Sequence, residues 1–327
     1  MGPGMHMMIE MGTKIAAESI TREALIRELK NCTDTTVDPL TGSIYMHSSL
    51  TIFSQELTVF LGYNNQALMA DLADWFDCRD KWTYRTKNMG TDEIIGVWVN
   101  LIGATTPELL QTTLPRDAIG GGLASRIIFV YEFKKSKTVI APFLSQEEIE
   151  LSKLLMFDLE RISMMSGEFH ISEEFLDLWA QWYPTQEAMR GNIFDDYRFS
   201  GYCERRPTHL LKLSMIMSAA RNSEMVLGAT EFNEALSTLL ETEKNMIYTF
   251  SGVGRSDTSD ITHRVMQYVA RKGETTMSDL MRLYYQDVDK PTLENIIATL
   301  MTMEYVTATV TQNETIIKYA DKGGMYR

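Results

Sequence analysis

The apolar pattern of the first 130 or so positions predicts buried parallel strands. Residues 94–103 form a nearly continuous apolar run that stops at Thr105 and Thr106, and residues 127–131 form a second run directly after Arg126. Unbroken apolar strands are typical of parallel sheets that are covered on both faces. Because ligands bind beyond the carboxyl ends of such strands, Thr105 and Thr106 are candidate phosphate-binding residues. Arg126 follows a loop of small residues and suits a charge presented to a neighbouring subunit's phosphate.

Shorter patterns fill the rest of this region. Strands are predicted at residues 13–20 and 48–57, and the second of these carries Glu56 at its end. Thr21 is a predicted helix N-cap, and a further helix is predicted at about residues 65–77. Residues 31–44 are predicted to form a polar loop.

Residues 77–92 predict a β-hairpin in which aromatic and basic residues alternate. The residues concerned are Lys81, Trp82, Tyr84, Arg85 and Lys87. Aromatic side chains flanked by cations suit the binding of single-stranded nucleic acid. Arg79 adds a fourth cation, and acidic residues in and beside the same stretch oppose this positive charge (Asp77, Asp80, Asp92 and Glu93). A salt-bridged structural hairpin is therefore an equal alternative.

Helical periodicity dominates from about residue 145 onward. Ser145 and Glu148 form a predicted capping box, and further helices are predicted at residues 172–182, 206–220 and 230–250. After a Gly/Ser-rich linker, the last stretch predicts three helices (260–272, 277–285 and 291–304) and two strands (306–310 and 315–319), which is the winged-helix arrangement. The predicted domains are 1–143, 144–250, the linker 251–259, and 260–327.

Composition narrows the functional classes. The net charge of −13 argues against a protein that coats nucleic acid with its whole surface, although a local basic channel needs only a few cations. The cysteines and histidines show no metal-ligand spacing. The sequence has no apolar run of about 18 residues and no signal-peptide pattern, so we expect a cytoplasmic protein without membrane association.

Several motifs together resemble a known family. They are SSLTIFSQEL, TDEIIGVWVNLIGATTPELL, GGGLASRIIFVYE, RRPTHLLKLSMIMSAAR and TEFNEALSTLLE, and they extend from residue 13 to about residue 250. They resemble an uncharacterised phage and prophage ATPase family, often described as primase–helicase or replicative-helicase-like proteins of the AAA+ class. This family is distantly similar to the minichromosome-maintenance helicases.

The resemblance implies an α/β fold with an AAA+ parallel sheet of the P-loop type, whose first strand is missing, and a helical lid. The predicted fold is therefore this core and lid followed by the winged-helix domain that the pattern of the last residues predicts. The resemblance also implies ATP and Mg²⁺ as cofactors of the complete protein. The implied partners are single-stranded or forked DNA, other copies in a homo-oligomeric ring, and replication proteins in a bacterial host cell.

The resemblance also implies roles for individual residues. Glu56 would polarise the attacking water, Thr105 or Thr106 would act as sensor 1, and Arg126 would be an exposed finger acting on a neighbouring subunit. Arg205 or Arg206 would be sensor 2. Each position has an ordinary structural alternative: Glu56 at a helix start, Thr105 or Thr106 as an N-cap, and the arginines as solvated surface residues.

The sequence departs from the family in its phosphate-binding parts. It contains no Gly-Lys-Ser/Thr loop, because Gly12-Thr13-Lys14 has the wrong order, and Gln55 stands where an aspartate would help to hold Mg²⁺. We expect the chain to begin just after the phosphate loop and to lack the first strand of the sheet.

Two functions therefore remain open. One is the ATPase module of a replicative DNA helicase whose missing segment lies elsewhere. The other is a non-catalytic relative that oligomerises or binds DNA or protein. The predicted third helix of the winged-helix region has no Lys or Arg, so protein docking is an equal alternative to DNA binding there.

Overall fold

The computed structural model describes residues 3–39, 41–86, 90–114, 120–132, 139–140, 143–190, 193–194, 196–250, 257–310 and 314–320. The chain divides into two compact units, Met1–Ser251 and Gly252–Arg327. Both units combine helices with small sheets, so the protein has an α/β fold. None of the helices in the described part of the chain is long and apolar enough to cross a lipid bilayer.

The first unit is built from the following elements in chain order: α1 (Pro3–Glu10), α2 (Arg22–Asn31), β1 (Thr33–Val37), β2 (Ile44–Ser54), α3 (Leu57–Leu61), α4 (Gln66–Trp75), β3 (Lys81–Thr86), β4 (Gly90–Ile95), β5 (Val97–Gly103), α5 (Pro107–Thr113), α6 (Gln146–Ser163), β6 (His170–Ile171), α7 (Glu173–Met189), α8 (Ser200–Arg221), β7 (Val226–Leu227) and α9 (Ala229–Met246). Short 3₁₀ helices lie at Ala124–Arg126, Tyr197–Phe199 and Ile247–Phe250.

The main sheet of this unit has the order β1-β2-β5. β2 and β5 are parallel, with Ser48 opposite Val97 and Ser54 opposite Gly103, whereas β1 pairs with β2 antiparallel. Residues 14–16 run parallel to β2 on the edge opposite β5, beyond the part of β2 that pairs with β1, since the Ala16 amide donates to the Thr51 carbonyl oxygen (2.9 Å). The buried middle of β2, at Leu50 and Ile52, forms part of the core.

The prediction of one strand over residues 94–103 was wrong. The chain changes direction at Gly96, so that β4 pairs with β3 as a hairpin and only β5 joins the main sheet. Gly96 has a φ of +58°, and a Cβ on it would lie 2.4 Å from the Met46 carbonyl oxygen. A glycine is needed because the backbone adopts the left-handed region while pressed against β2.

Three other expectations in this region were also wrong. Residues 127–131 belong to no strand, and residues 13–20 make only a single bridge, between Ile15 and Thr51. Residues 31–44, predicted as a polar loop, contain β1, whose side chains are mostly exposed. Periodicity cannot identify such a strand, because neither of its faces is consistently apolar.

Local helix signals were predicted correctly. The Thr21 side chain accepts from the Ala24 amide, and Ser145 and Glu148 form the capping box at the start of α6. The helical part of the unit encloses a core at Phe175, Leu210 and Phe232.

The second unit contains α10 (Asp257–Lys272), β8 (Glu274–Thr276), α11 (Met277–Tyr284), α12 (Lys290–Thr302), β9 (Val306–Val310) and β10 (Thr315–Tyr319). Its sheet has the order β8-β10-β9 and is antiparallel. The three helices and the β9–β10 hairpin lie where the sequence predicts them, and β8 is an addition. Val265, Leu293 and Ile317 are fully buried between the helices and the sheet.

Candidate functional site

Glu56 and Thr105 lie together at the carboxyl edge of β2 and β5. Glu56 follows Ser54 by two residues, and Thr105 follows Gly103 by two residues on the neighbouring parallel strand. The connection is tightened by the Leu57 amide, which donates to the Ala104 carbonyl oxygen (2.8 Å). The parallel register therefore brings together two residues that are 49 positions apart in the sequence.

The surroundings of Glu56 favour its ionised form. The Thr105 hydroxyl beside Glu56 lowers the pKa of its carboxyl, and the Thr58 hydroxyl, which donates to Glu56 Oε1 (2.8 Å), lowers it further. The Thr105 hydroxyl itself is buried and makes no hydrogen bond of normal geometry among the described residues. Glu56 is also the N-cap residue of α3, but its side chain makes no capping hydrogen bond. The carboxylate is therefore held by the Thr58 hydroxyl, with the Thr105 hydroxyl beside it, and is partly exposed at the end of the sheet.

Thr106 has a different role from Thr105. Its side chain accepts from the Leu109 amide and caps α5, with Pro107 in the first turn. This is the ordinary structural alternative for this position. Of the two adjacent threonines, Thr105 is the one whose hydroxyl lowers the pKa of Glu56.

A cleft of about 450 Å³ separates β5 from residues 127–131. Leu57, Leu110 and residues 101–107 line one wall and Ile127, Ile128, Phe129, Val130 and Tyr131 the other. Ile127 has an extended backbone, and Phe129 packs edge-on against Phe250 (5.0 Å between ring centroids). The buried hydroxyls of Thr105 and Thr249 also lie in the lining, and neither has a hydrogen-bond partner among the described residues. The cleft thus combines apolar walls with two unsatisfied hydroxyls.

Arg126 and Arg205 converge on one carboxylate, that of Asp77. Arg126 Nη2 lies 3.4 Å from Asp77 Oδ2, and Arg205 Nη1 lies 3.1 Å from Asp77 Oδ1. The Arg126 side chain is only 14 % exposed, and its guanidinium also donates to the Gly122 carbonyl oxygen (3.0 Å). Arg126 is therefore held within its own chain, in contrast to the exposed position expected for a finger.

The Arg126 cluster lies at the opposite end of β5 from Thr105. Asp77 is two residues before Arg79, whose carbonyl oxygen accepts from the Val97 amide at the start of β5 (3.1 Å). Thr105 follows the far end of the same seven-residue strand, which is about 20 Å long. The structure thus brings Glu56 and Thr105 together but does not bring Arg126 to them.

The small-residue loop before Arg126 packs against the start of α8. A Cβ on Gly201 of this helix would lie 2.7 Å from the Gly120 carbonyl oxygen, so the backbones approach closely. Further along the same helix, His209 donates from Nε2 to the Ser125 carbonyl oxygen (3.1 Å). Burial lowers the pKa of His209 to about 4, so the ring is neutral at pH 7.

Arg206 is buried in a polar network inside the helical part. Its Nε and Nη2 contact the two carboxylate oxygens of Glu243 at 2.7 and 2.9 Å, and it also donates to Gln186. Tyr202 donates to Glu243 Oε1 (2.9 Å), and burial raises the pKa of its hydroxyl. The Arg206 and Glu243 side chains are each 7 % exposed. Of the two predicted sensor-2 residues, only Arg205 is close to the surface.

In the β3–β4 hairpin, the two aromatic side chains point inward. Trp82 Nε1 donates to Asp74 (2.9 Å) and its ring packs edge-on against Trp75 (5.4 Å). Tyr84 stacks on Trp82 and lies under the Arg22 guanidinium, which also donates to its hydroxyl (3.2 Å). These contacts favour the structural alternative for both rings.

The basic side chains of the hairpin face outward. Lys81 and Arg85 are exposed on β3, and Lys81 pairs with Glu93 on β4 (2.8 Å). Lys87, the third predicted cation, lies outside the described residues.

The described residues do not form a metal site by themselves. No group of three or more His, Cys, Asp or Glu side chains that could hold an ion occurs in the described parts of the chain. At the strand edge Glu56 is accompanied by Gln55, whose amide is a weaker magnesium ligand than a carboxylate. A Mg²⁺ ion at this edge would therefore need ligands from outside the described residues.

Sequence reasoning missed the acidic partners of the arginines. Nothing in the sequence around Asp77 or Glu243 marks either residue as the partner of an arginine. The pairs form because α8 places Arg205 beside Asp77 and Arg206 beside Glu243. Asp74, the partner of Trp82, lies eight residues before it, across the end of α4.

No protein-family model matches the sequence, and no curated protein is detectably similar to it.

Proposed function

We propose that residues 13–250 belong to the NTP-hydrolysing core of an AAA+ replicative helicase that acts in phage or mobile-element replication. The observation that carries this proposal is the Glu56–Thr105 pair at the carboxyl edge of two adjacent parallel strands. Ligands of open parallel sheets bind at this edge. The motif resemblance adds the expectation that the ligand is ATP.

The chemistry of the pair fits this role. Glu56 is ionised at neutral pH, and the neighbouring hydroxyls of Thr105 and Thr58 lower its pKa further, so it can orient and polarise an attacking water. The Thr58 hydroxyl fixes the direction of the carboxylate, and the Thr105 hydroxyl, which has no partner among the described residues, is free to contact a γ-phosphate. In phosphoryl transfer, positioning and electrostatic stabilisation supply nearly all of the catalysis, so these two groups would act only on a nucleotide held by other residues.

The cleft beside β5 fits the part of such a core that is absent from this sequence. A strand lying between β5 and residues 127–131 would cover the apolar walls and could satisfy Thr249. We propose that this strand carries the phosphate-binding loop, because the strand would end at the same edge as Glu56 and Thr105. Unpaired backbone groups along the cleft would otherwise cost about 1–3 kcal/mol each when buried.

A non-catalytic role is the second candidate. It is favoured by the arginines, since Arg126 and Arg205 share Asp77, and Arg206 is neutralised by Glu243. In this case the chain would oligomerise, or bind DNA or protein, without nucleotide turnover.

The second unit supports a winged-helix domain in either case. Its elements follow the order helix, strand, two helices and a hairpin, and β10 lies between β8 and β9. The basic residues beside α12 and on β10 are paired, Lys290 with Glu294 (3.7 Å) and Lys318 with Glu274 (2.8 Å). We therefore propose that single-stranded or forked DNA is contacted mainly by the first unit, and that the second unit docks a replication protein or another subunit.

ATP turnover distinguishes the two candidate functions. The chain alone is expected to hydrolyse ATP at background rates, whereas the assembly purified from its native host should be active. In that assembly Glu56→Gln should abolish turnover, while the matched change Glu108→Gln, in the exposed first turn of α5, should leave it intact. Glu56-dependent turnover by the chain alone would contradict the phosphate-loop argument. A native assembly without turnover would favour the non-catalytic role.

A further inference from the structure

A groove of about 820 Å³ lies in the first unit, and neither Glu56 nor Thr105 is among the residues that line it. It is bounded by the tip of the β1–β2 hairpin, the carboxyl-terminal end of α6 and the two loops that lead into β6 and β7. We call this feature the α6 groove. Its lining includes Tyr45, Phe157, Glu160, Met164, Glu168 and Glu224.

Hydrogen bonds hold the walls of the α6 groove together. In the loop before β6, Ser166 Oγ donates to the Val37 carbonyl oxygen at the end of β1 (3.5 Å). Within the hairpin tip, Thr41 Oγ1 donates to Asp38 Oδ2 (2.6 Å). Arg161 connects α6 to α8, because its guanidinium donates to the Ala219 carbonyl oxygen (3.0 Å). The groove is therefore formed before a ligand binds, which lowers the entropic cost of binding.

The floor of the α6 groove is apolar and uncovered by the described residues. Phe157 is 67 % exposed and Met164 is 80 % exposed, and Tyr45 is exposed beside them. Phe157 and Met164 are seven positions apart and lie on one face of the helix end. None of the α6 residues is buried within the described part of the chain, although helices gain most of their stability by packing an apolar face. Large apolar side chains that lie together at a surface mark an interaction site.

The rim of the α6 groove is acidic. Glu160, Glu168 and Glu224 are exposed around the apolar floor. Among the described residues that line the groove, Arg161 is the only Lys or Arg, and its guanidinium is engaged by Ala219 and by Ser223 Oγ (3.0 Å). The rim therefore repels phosphate groups and acidic surfaces, and it attracts a partner that carries positive charge.

We propose that the α6 groove binds a basic amphipathic helix of another protein. The apolar face of that helix covers Phe157 and Met164, and Lys or Arg side chains on its flanks face the glutamates of the rim. Methionine suits such a floor, because its flexible side chain adapts to the shape of the partner's apolar residues. The inference uses this groove only and holds whether or not the chain hydrolyses ATP.

Fluorescence anisotropy with a synthetic probe tests this binding. The probe is a labelled helix of about five turns, built from leucine and lysine with all leucines on one face. It should bind the wild-type chain at one saturable site. The variant Glu160→Lys/Glu168→Lys reverses the rim charge and Phe157→Ser/Met164→Ser removes the apolar floor, so each should weaken binding by about tenfold or more. All four side chains are exposed, and urea unfolding should show that both variants keep the wild-type fold.

Matched variants separate the groove from a general attraction between a basic peptide and an acidic protein. Glu150→Lys/Asp177→Lys changes the net charge by the same amount, and Leu151→Ser/Leu154→Ser removes apolar side chains from α6. All four positions are exposed and outside the groove lining, so both controls should bind the probe like wild type. A probe of equal composition with its leucines spread around the helix should bind at least about tenfold more weakly.

Four outcomes would overturn the proposal. The wild-type chain does not bind the probe, the control variants lose as much affinity as the groove variants, or the probe with spread leucines binds as tightly as the amphipathic one. The fourth outcome is a wild-type chain that self-associates in sedimentation and is dissociated by the groove variants, which would identify the occupant as a second copy of this chain.

Discussion

Replacing Arg206 with alanine should destabilise the first unit far more than the same change at Arg205. Arg206→Ala leaves the Glu243 carboxylate 7 % exposed and without its bidentate partner, which costs about 3–5 kcal/mol of unfolding free energy for a buried pair. Arg205 is 35 % exposed and its partner Asp77 also contacts Arg126, so Arg205→Ala should cost at most about 1 kcal/mol. The neighbouring arginines thus serve as matched controls for each other.

Urea unfolding followed by tryptophan fluorescence is a suitable assay, because all five tryptophans lie in the first unit. The double variant Arg206→Met/Glu243→Leu should recover much of the loss, since it removes both charges together. If Arg206→Ala unfolds like wild type, or if the double variant is less stable than the single one, the buried network does not stabilise the fold as argued. A loss of nucleotide affinity at unchanged stability would instead favour Arg206 as the sensor.

Two further predictions concern pH and salt. Burial lowers the pKa of His209 to about 4, whereas an exposed ring has a pKa of 6.5. As the pH falls below 6.5, the imidazole is therefore protonated in the unfolded chain but not in the folded one, and the free energy of unfolding decreases. Between pH 7 and pH 5 the wild type should lose about 2 kcal/mol more unfolding free energy than His209→Gln, and equal losses in urea titrations would exclude His209 as the cause. Replacing Lys81 and Arg85 with alanine should lower the salt slope of oligo-dT binding by roughly 1.4 if each contacts one phosphate. Lys290→Ala/Lys318→Ala is the control, and a slope that falls only in this control would move the DNA site to the second unit.

The candidate site shows which contacts the strand pattern of the sequence can predict and which it cannot. The pattern predicts strands that end near Glu56 and Thr105, and parallel pairing makes adjacent carboxyl ends coincide, so these two residues could be brought together from the sequence. The pattern could not separate Thr105 from Thr106. That distinction depends on which hydroxyl lies beside Glu56 and which one caps α5.

The sequence by itself determined the elements whose signals are local. The N-caps Thr21 and Ser145 and the helices and hairpin of the second unit follow from residues a few positions apart, because helix caps and one-sided burial act over one or two turns. The α/β character of the chain follows from the same patterns.

Only the tertiary structure decided which distant groups meet. Arg205 pairs with Asp77, which is 128 positions away in the sequence, and Arg206 pairs with Glu243, which is 37 positions away. Nothing in the sequence around either arginine identifies its partner. Gly96 divides the apolar run at 94–103 because the backbone of β2 lies directly against it. Residues 127–131 form no strand because no described strand lies beside them to accept their hydrogen bonds. Apolar periodicity records that a face is buried, whereas the identity of the group that covers it depends on how the whole chain packs.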